Sequence, residues 1–258
     1  MKSSTWNPTK RNRNIGTSKQ GHGQNNKLLI PQPFDTSKLF YERFNKPEIN
    51  SIHVHGREIP VIVEQLNINH YYSCTPADVA VILNHLPQID LEEFGVLVFR
   101  QPKKKEQILS PVWGRLIYSF EFRNKYYPAI ILEALPYKKK LKFTKRQTTE
   151  LEKEFNHLLN DGVEFILDKR EYVAEINEET ARSIQLYRTL LHEVGHYVHY
   201  LEQVERPVYE EDICEWEKRF ELYLNIPVQE KEIFANKYAD TAKRELVQKN
   251  IIPFNRLD

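Results

Sequence analysis

Leu191-His192-Glu193-Val194-Gly195-His196-Tyr197 decides how this chain is read, because a His-Glu-x-x-His sequence lies there inside a helical hydrophobic pattern. Residues four apart stack on one face of an α-helix, so His192 and His196 can aim two imidazoles at one metal ion. Glu193 falls beside them. There it can take a proton from a water whose pKa a zinc ion has lowered to about 7. The chemistry expected is zinc-dependent hydrolysis.

The surrounding residues supply the helix. Ile184, Tyr187, Leu191, Val194, Val198 and Leu201 recur by threes and fours and form one apolar stripe, with both histidines outside it. Asn177 followed by Glu178 and Glu179 is a helix start with an amide cap and an acidic first turn. Gly195 is out of place, since glycine inside a helix costs about 1 kcal/mol relative to alanine. A neighbour packed closely against that turn would explain it.

Catalytic zinc commonly takes three protein ligands and keeps an open position, so two histidines do not complete a site. His199 lies seven residues from His192, about 10 Å along a helix axis, too far to share a tetrahedral site with both histidines. It is expected behind the site or at the surface. Glu232 and Asn236 are spaced for one helix face: the first can bind a metal, the second can accept a hydrogen bond from the non-ligating nitrogen of a histidine. Ala235 and Ala239 would let that helix approach closely. Glu230, Glu210, Glu211 and Asp212 remain alternatives, although residues 209–223 mix acids and bases as a solvated helix face does.

Taken together, His192-Glu193-Val194-Gly195-His196 and Glu232-x-x-Ala235-Asn236-x-Tyr238-Ala239 resemble the gluzincin zinc metallopeptidases, most closely the ImmA/IrrE group. The resemblance covers residues 181–245, about a quarter of the chain. It implies that His192, His196 and Glu232 are zinc ligands and that Glu193 is the general base. Tyr238 stands where that group usually has Phe, and Asp240-Thr241-Ala242-Lys243 stands where a leucine-rich end is expected. Resemblance to zincins also implies a sheet edge above the catalytic helix, along which an extended peptide binds as an added strand. Residues 164–176, with Phe165-Ile166-Leu167 and Tyr172-Val173-Ala174 around Lys169-Arg170, are the segment expected to provide it.

Composition sets the outer limits. The chain has 258 residues, 40% hydrophobic and 28% charged, enough for one substantial core or two modest ones. No apolar run reaches the roughly 18 residues needed to cross a membrane, and no short apolar secretory core opens the chain, so no membrane partner and a cytoplasmic location are expected. Cys74 and Cys214 form no Cys-x-x-Cys pattern, and both are expected as buried thiols.

Charge is uneven despite a net value of +1. Residues 1–34 hold Lys2, Lys10, Arg11, Arg13, Lys19 and Lys27 with no acid. Lys103-Lys104-Lys105 and Lys138-Lys139-Lys140 add two basic clusters. A nucleic-acid partner is compatible with this pattern, but no base-reading module is present, and solvated loops account for the clusters.

Three regions are expected. Residues 1–35 read as a disordered basic tail, poor in apolar residues. Residues 36–145 read as an α+β recognition or sensor domain. Its signals are a hairpin around Gly56-Arg57-Glu58, a helix opened by Thr75-Pro76-Ala77-Asp78, and strands at residues 95–99, 112–122 and 127–132 arranged as a meander. Pro60 places its strand at an edge or begins it. Residues 146–258 read as a mostly helical, zincin-like metallopeptidase domain with a small sheet, opening with a polar helix at 145–159. His53 and His55 point to one face of a strand and could share a metal, although a half-exposed hairpin is the simpler reading.

The function expected is a zinc-dependent endopeptidase acting on a specific intracellular protein or peptide substrate. The alternatives are a non-catalytic zinc-stabilised binding module, or a nucleic-acid-associated regulator acting through its basic tail and loops.

Overall fold

Short-range signals set the first elements. In a computed structural model that describes residues 43–103, 112–145, 149–207 and 213–258, strands β1 (Glu48–Val54) and β2 (Arg57–Val63) form the expected hairpin. Its turn residues, His55 and Gly56, both have positive φ, which matches the twist of the flanking strands. After β3 (His70–Tyr71), helix α1 (Pro76–His85) opens with a full capping box: Thr75 accepts from the Asp78 N–H, and Asp78 accepts from the Thr75 N–H. The tail at 1–35, together with Lys104, Lys105, Glu210, Glu211 and Asp212, lies outside the described residues.

Strands β4 (Val96–Arg100), β5 (Gly114–Phe122) and β6 (Lys125–Glu133) join the hairpin in a sheet ordered β1-β2-β4-β6-β5. It is not a meander. β4 runs parallel to both β2 and β6, and every residue of β4 is buried, the pattern of a central strand covered on both faces. Pro60 sits within β2, not at its start; β2 is interior from Val61 on, where β4 pairs with it, and open on that side up to Pro60. Pairing with β4 begins only at Val61, so the missing N–H of Pro60 removes no bond between β2 and β4.

β7 (Leu135–Pro136) pairs with β3, and β8 (Lys139–Thr144) joins a second sheet. Helix α2 (Thr149–Asn160) is the expected polar helix, and β9 (Ile166–Asp168) and β10 (Glu171–Ile176) form a hairpin completing the three-stranded order β8-β10-β9. From Glu178 to Glu205 the backbone is helical without a break. α3 (Glu178–Ile184) passes through a π-helical segment, Gln185–Thr189, into α4 (Leu190–Tyr200), and a second π segment, Leu201–Glu205, follows. Asn177 caps the start as expected, accepting from Thr180 N–H. Helices α5 (Ile213–Asn225) and α6 (Val228–Gln248) complete the chain.

Helix and sheet are mixed throughout, consistent with an α+β class. Residues Phe44–Asp258 form one compact unit. Its larger core draws from both sides of position 145, with Ile82, Leu97 and Ile130 packed alongside Leu191, Val194 and Tyr197. All six stripe residues of the motif helix are buried, and burial continues round it through Leu190, Tyr197 and Val204. The first π segment ties this helix to the sheet: the Gln185 amide donates to Trp113 O at 2.7 Å and to Glu133 O at 2.9 Å. Among the described residues no helix is long and apolar enough to cross a membrane.

Candidate metal centre

The site forms where α4 and α6 cross. A Cβ on Gly195 would lie 2.8 Å from Ala235 O and 2.9 Å from Ala235 Cα, so glycine is required for this approach. That contact is the close neighbour expected from the sequence. Ala235 and Ala239, both buried, line the α6 side of the crossing.

The close approach brings three donors together. His192 Nε2 lies 3.3 Å from Glu232 Oε2, His196 Nε2 lies 3.3 Å from Glu232 Oε1, and the two Nε2 atoms are 3.0 Å apart. His192, His196 and Glu232 could hold a metal ion. Asn236, one turn beyond Glu232, places Oδ1 3.1 Å from His192 Nδ1. With its proton on Nδ1, His192 turns the Nε2 lone pair towards Glu232 and His196. The two imidazoles hold the Glu232 carboxyl well below the usual carboxylate range. Glu230, the rival within the described residues, is exposed and outside this group.

Glu193 is buried beside the donors. Burial pushes its pKa up, and the opposing pull comes from His192, His196 and a hydrogen bond from the Leu116 N–H. Leu116 belongs to β5, the outer strand of the five-stranded sheet, which packs along α4. The sheet edge above the motif helix is therefore β5 and not residues 164–176, whose strands belong to the separate three-stranded sheet. Strand order is set by long-range pairing, and nothing local in residues 114–122 announces an edge. The ladder between β5 and β6 shifts register between Ile117 and Phe120.

Other sequence candidates fall elsewhere. His199 is neither a ligand nor a surface residue: it is buried, with its ring stacked on Phe234 at 4.4 Å. His55 Nε2 lies 3.1 Å from Leu86 O, and neither His53 nor His55 belongs to a metal-capable group among the described residues. Tyr238, which departs from the usual Phe, donates its hydroxyl to Asp90 at 2.9 Å and so ties α6 to the turn before β4. Lys140 pairs with Glu175 and Lys142 with Glu171 across the small sheet, which offsets part of that basic cluster. Cys74 is buried as expected, and burial pushes its thiol pKa up to about 12; Cys214 is exposed, contrary to expectation, because it falls on the open side of α5. Tyr118 of β5 and Tyr223 of α5 share a hydroxyl hydrogen bond of 2.8 Å beside α4, a pairing with no signal in the sequence.

Comparison of the chain with protein-family models, with curated proteins and with solved structures found no match in any of the three.

Proposed function

We propose that this chain is a zinc-dependent endopeptidase of gluzincin type, the class its two motifs resemble. One observation carries the reading: the donor separations of 3.0, 3.3 and 3.3 Å among His192, His196 and Glu232. The edge of a tetrahedron is about 1.6 times its centre-to-corner distance, so zinc bonds of about 2.0–2.1 Å imply donors about 3.3 Å apart. Three protein donors leave a fourth position open, as catalytic zinc sites do and structural ones do not. Zinc bound there would acidify a water and polarise the scissile carbonyl.

The remaining steps belong to the chain. Asn236 fixes the tautomer of His192. The Leu116 N–H orients the Glu193 carboxylate, and burial makes it a stronger proton acceptor than an exposed glutamate. Glu193 takes the proton of the attacking water and passes it to the departing amine. An extended peptide binds along the outer edge of β5, which pairs with no further strand among the described residues, with main-chain bonds for affinity and side-chain pockets for selectivity. The register shift after Ile117 shortens the regular part of that edge. A short main-chain clamp favours a specific protein substrate, within the cell, that makes contacts beyond it.

The test combines zinc analysis with cleavage of a quenched peptide library by wild type, Glu193→Gln, Glu232→Ala and Glu230→Ala. Glu193→Gln should keep its zinc and lose about 10²–10⁴-fold in cleavage rate. Glu232→Ala should lose zinc, and Glu230→Ala should retain it. Full zinc retention in Glu232→Ala would remove the third ligand. Undiminished function in Glu193→Gln would favour a zinc-stapled binding module. Steeply salt-dependent nucleic-acid binding, abolished by deleting residues 1–34, would favour the regulator.

A further inference from the structure

The five-stranded sheet contains a gap one strand wide. β4 pairs with residues 61–63 of β2 and with residues 129–133 of β6, and no further. Residues 57–60 of β2 and 125–128 of β6 continue on either side without it. The chain turns away at Gly95, whose N–H donates to Pro128 O at 3.2 Å. Strands are spaced by about 4.8 Å and rise about 3.3 Å per residue, so the gap is about 9.6 Å wide and about 13 Å long. A cleft of about 840 Å³ lies there, lined by Ile49, Ser51, Phe94, Phe122 and Tyr127 among others.

The pleat determines which groups face the gap. Val54 and Arg57 close the first hairpin, so Arg57 and Ile59 turn their main chain to β1, while Glu58 and Pro60 turn theirs to the gap. Phe122 and Lys125 close the second hairpin in the same way, which leaves Tyr126 and Pro128 facing the gap, as the Gly95 bond to Pro128 requires. The Pro60 C=O faces the same way but accepts from Leu97 N–H in the β2–β4 ladder, so the walls present the N–H and C=O of Glu58 and the N–H and C=O of Tyr126. These groups have no partner among the described residues. Both walls also carry a proline, the residue that protects an exposed strand edge from indiscriminate pairing. Each wall thus offers one donor and one acceptor, and an occupant must bring both an N–H and a C=O on each of its edges. A polypeptide strand does that.

We propose that this gap is a docking site for an extended segment of a partner protein, which enters as a short strand in line with β4. Ile49, Ser51 and Pro60 lie on the pleat opposite to Ile52, Val54, Ile59 and Val61, which pack with α4, so the cleft opens on the sheet face turned away from the candidate metal centre. Ile49, Phe122 and Tyr127 select apolar side chains at alternate positions of the segment. Arg57 and Arg123 are balanced by Glu58 and Glu93, so the rim imposes no charge preference. The site does not depend on the peptidase reading, which uses the outer edge of β5 beyond β6.

The probe is a library of N-acetylated, C-amidated hexapeptides screened against the full-length Glu193→Gln protein with zinc, so that no peptide is consumed. The best binder is mapped by amide hydrogen exchange read by NMR. Expected are new protection of the Glu58 and Tyr126 amides and an affinity loss of at least tenfold in both Ser51→Trp, which fills the cleft, and Glu58→Pro, which removes a wall donor outside the β1 ladder. Where Glu58→Pro does not fold, Ser51→Trp with an unchanged unfolding midpoint decides alone. Three outcomes overturn the proposal: no binder, protection confined to β5 or elsewhere, or protection of both amides in the free protein that disappears when residues 1–42 are removed. The last would make the occupant the chain's own segment.

Discussion

Two carboxylates each tie distant parts of this chain together, and they do so in opposite ways. Asp78, fully buried, accepts from Arg182 Nη2 at 2.9 Å, Arg182 Nε at 3.3 Å, Thr75 N at 3.0 Å and Leu257 N at 3.0 Å. Its oxygens are saturated by donors from three segments. Glu232 instead faces two imidazole nitrogens that are also acceptors once their protons sit on Nδ1. A cluster whose donors and acceptors match is complete and acts as a clamp; acceptors converging on one point need a cation. The difference separates a structural ion pair from a cluster that could hold a metal ion.

The largest stability effect should come from breaking the clamp. Arg182→Ala leaves the Asp78 carboxylate buried without its main partner, which costs about 3–5 kcal/mol. Denaturant unfolding should show this loss while zinc content is unchanged. The pH dependence has a definite sign. Burial disfavours the charge of Asp78, but the hydrogen bonds from Arg182, Leu257 and Thr75 outweigh it, so the folded pKa lies below that of free aspartate. Stability from this group is complete above the unfolded value of about 3.9 and is lost as pH falls through the lower folded value. The unfolding midpoint of wild type should drop below pH 4, and Asp78→Asn should flatten that drop. An acid transition of the same steepness in Asp78→Asn would show that the clamp is not its origin.

The converse test concerns the open cluster. Zinc at a hundredfold excess over its Kd should stabilise the wild type by about 2.7 kcal/mol through mass action. Arg182→Ala, although weakened, should retain this increment, and Glu232→Ala should lose it. Equal stabilisation of all three proteins would place the metal elsewhere.

How far each cluster is legible in the sequence follows from the range of its contacts. His192, Glu193 and His196 are readable because i, i+4 spacing is a property of a single helix. Glu232 and Asn236 repeat that spacing, and Gly195 with Ala235 and Ala239 gives the crossing a sequence signature, so both halves of the site can be proposed before any fold is known. The Arg182 and Asp78 pair, 104 residues apart, has no periodicity to betray it. The position of β5 is equally hidden: its residues look alike at an edge or a centre, and the order β1-β2-β4-β6-β5 arises from parallel pairings that chain order does not suggest. Fully buried β4 does carry a local sign, a continuous apolar run, which argues against a meander.

Gly195→Ala joins the two kinds of evidence. The added methyl would meet backbone atoms of Ala235 at 2.8 and 2.9 Å, which cannot rotate away. Overpacking of this kind costs about 1–3 kcal/mol and should push α6 outward. Glu232 and Asn236 ride on that helix, so zinc affinity should fall with stability even though no ligand has changed. A variant that loses stability but binds zinc as the wild type does would mean that the crossing is not what sets the donor separations.

Tyr238→Phe should have the smallest effect and is the most discriminating test of the resemblance. The substitution restores the residue usual in the ImmA/IrrE group and removes only the hydroxyl, which donates to Asp90 Oδ2. Asp90 also accepts from Arg206 at 3.4 Å and so keeps a partner. The loss should be about 1 kcal/mol, the net worth of one hydrogen bond. Because Asn236 and Glu232 face the metal donors from the same helix, zinc affinity should stay within about threefold, the equivalent of less than 1 kcal/mol. A larger fall would mean that the tie from α6 to Asp90 positions Glu232, a contact that a Phe at this position could not make.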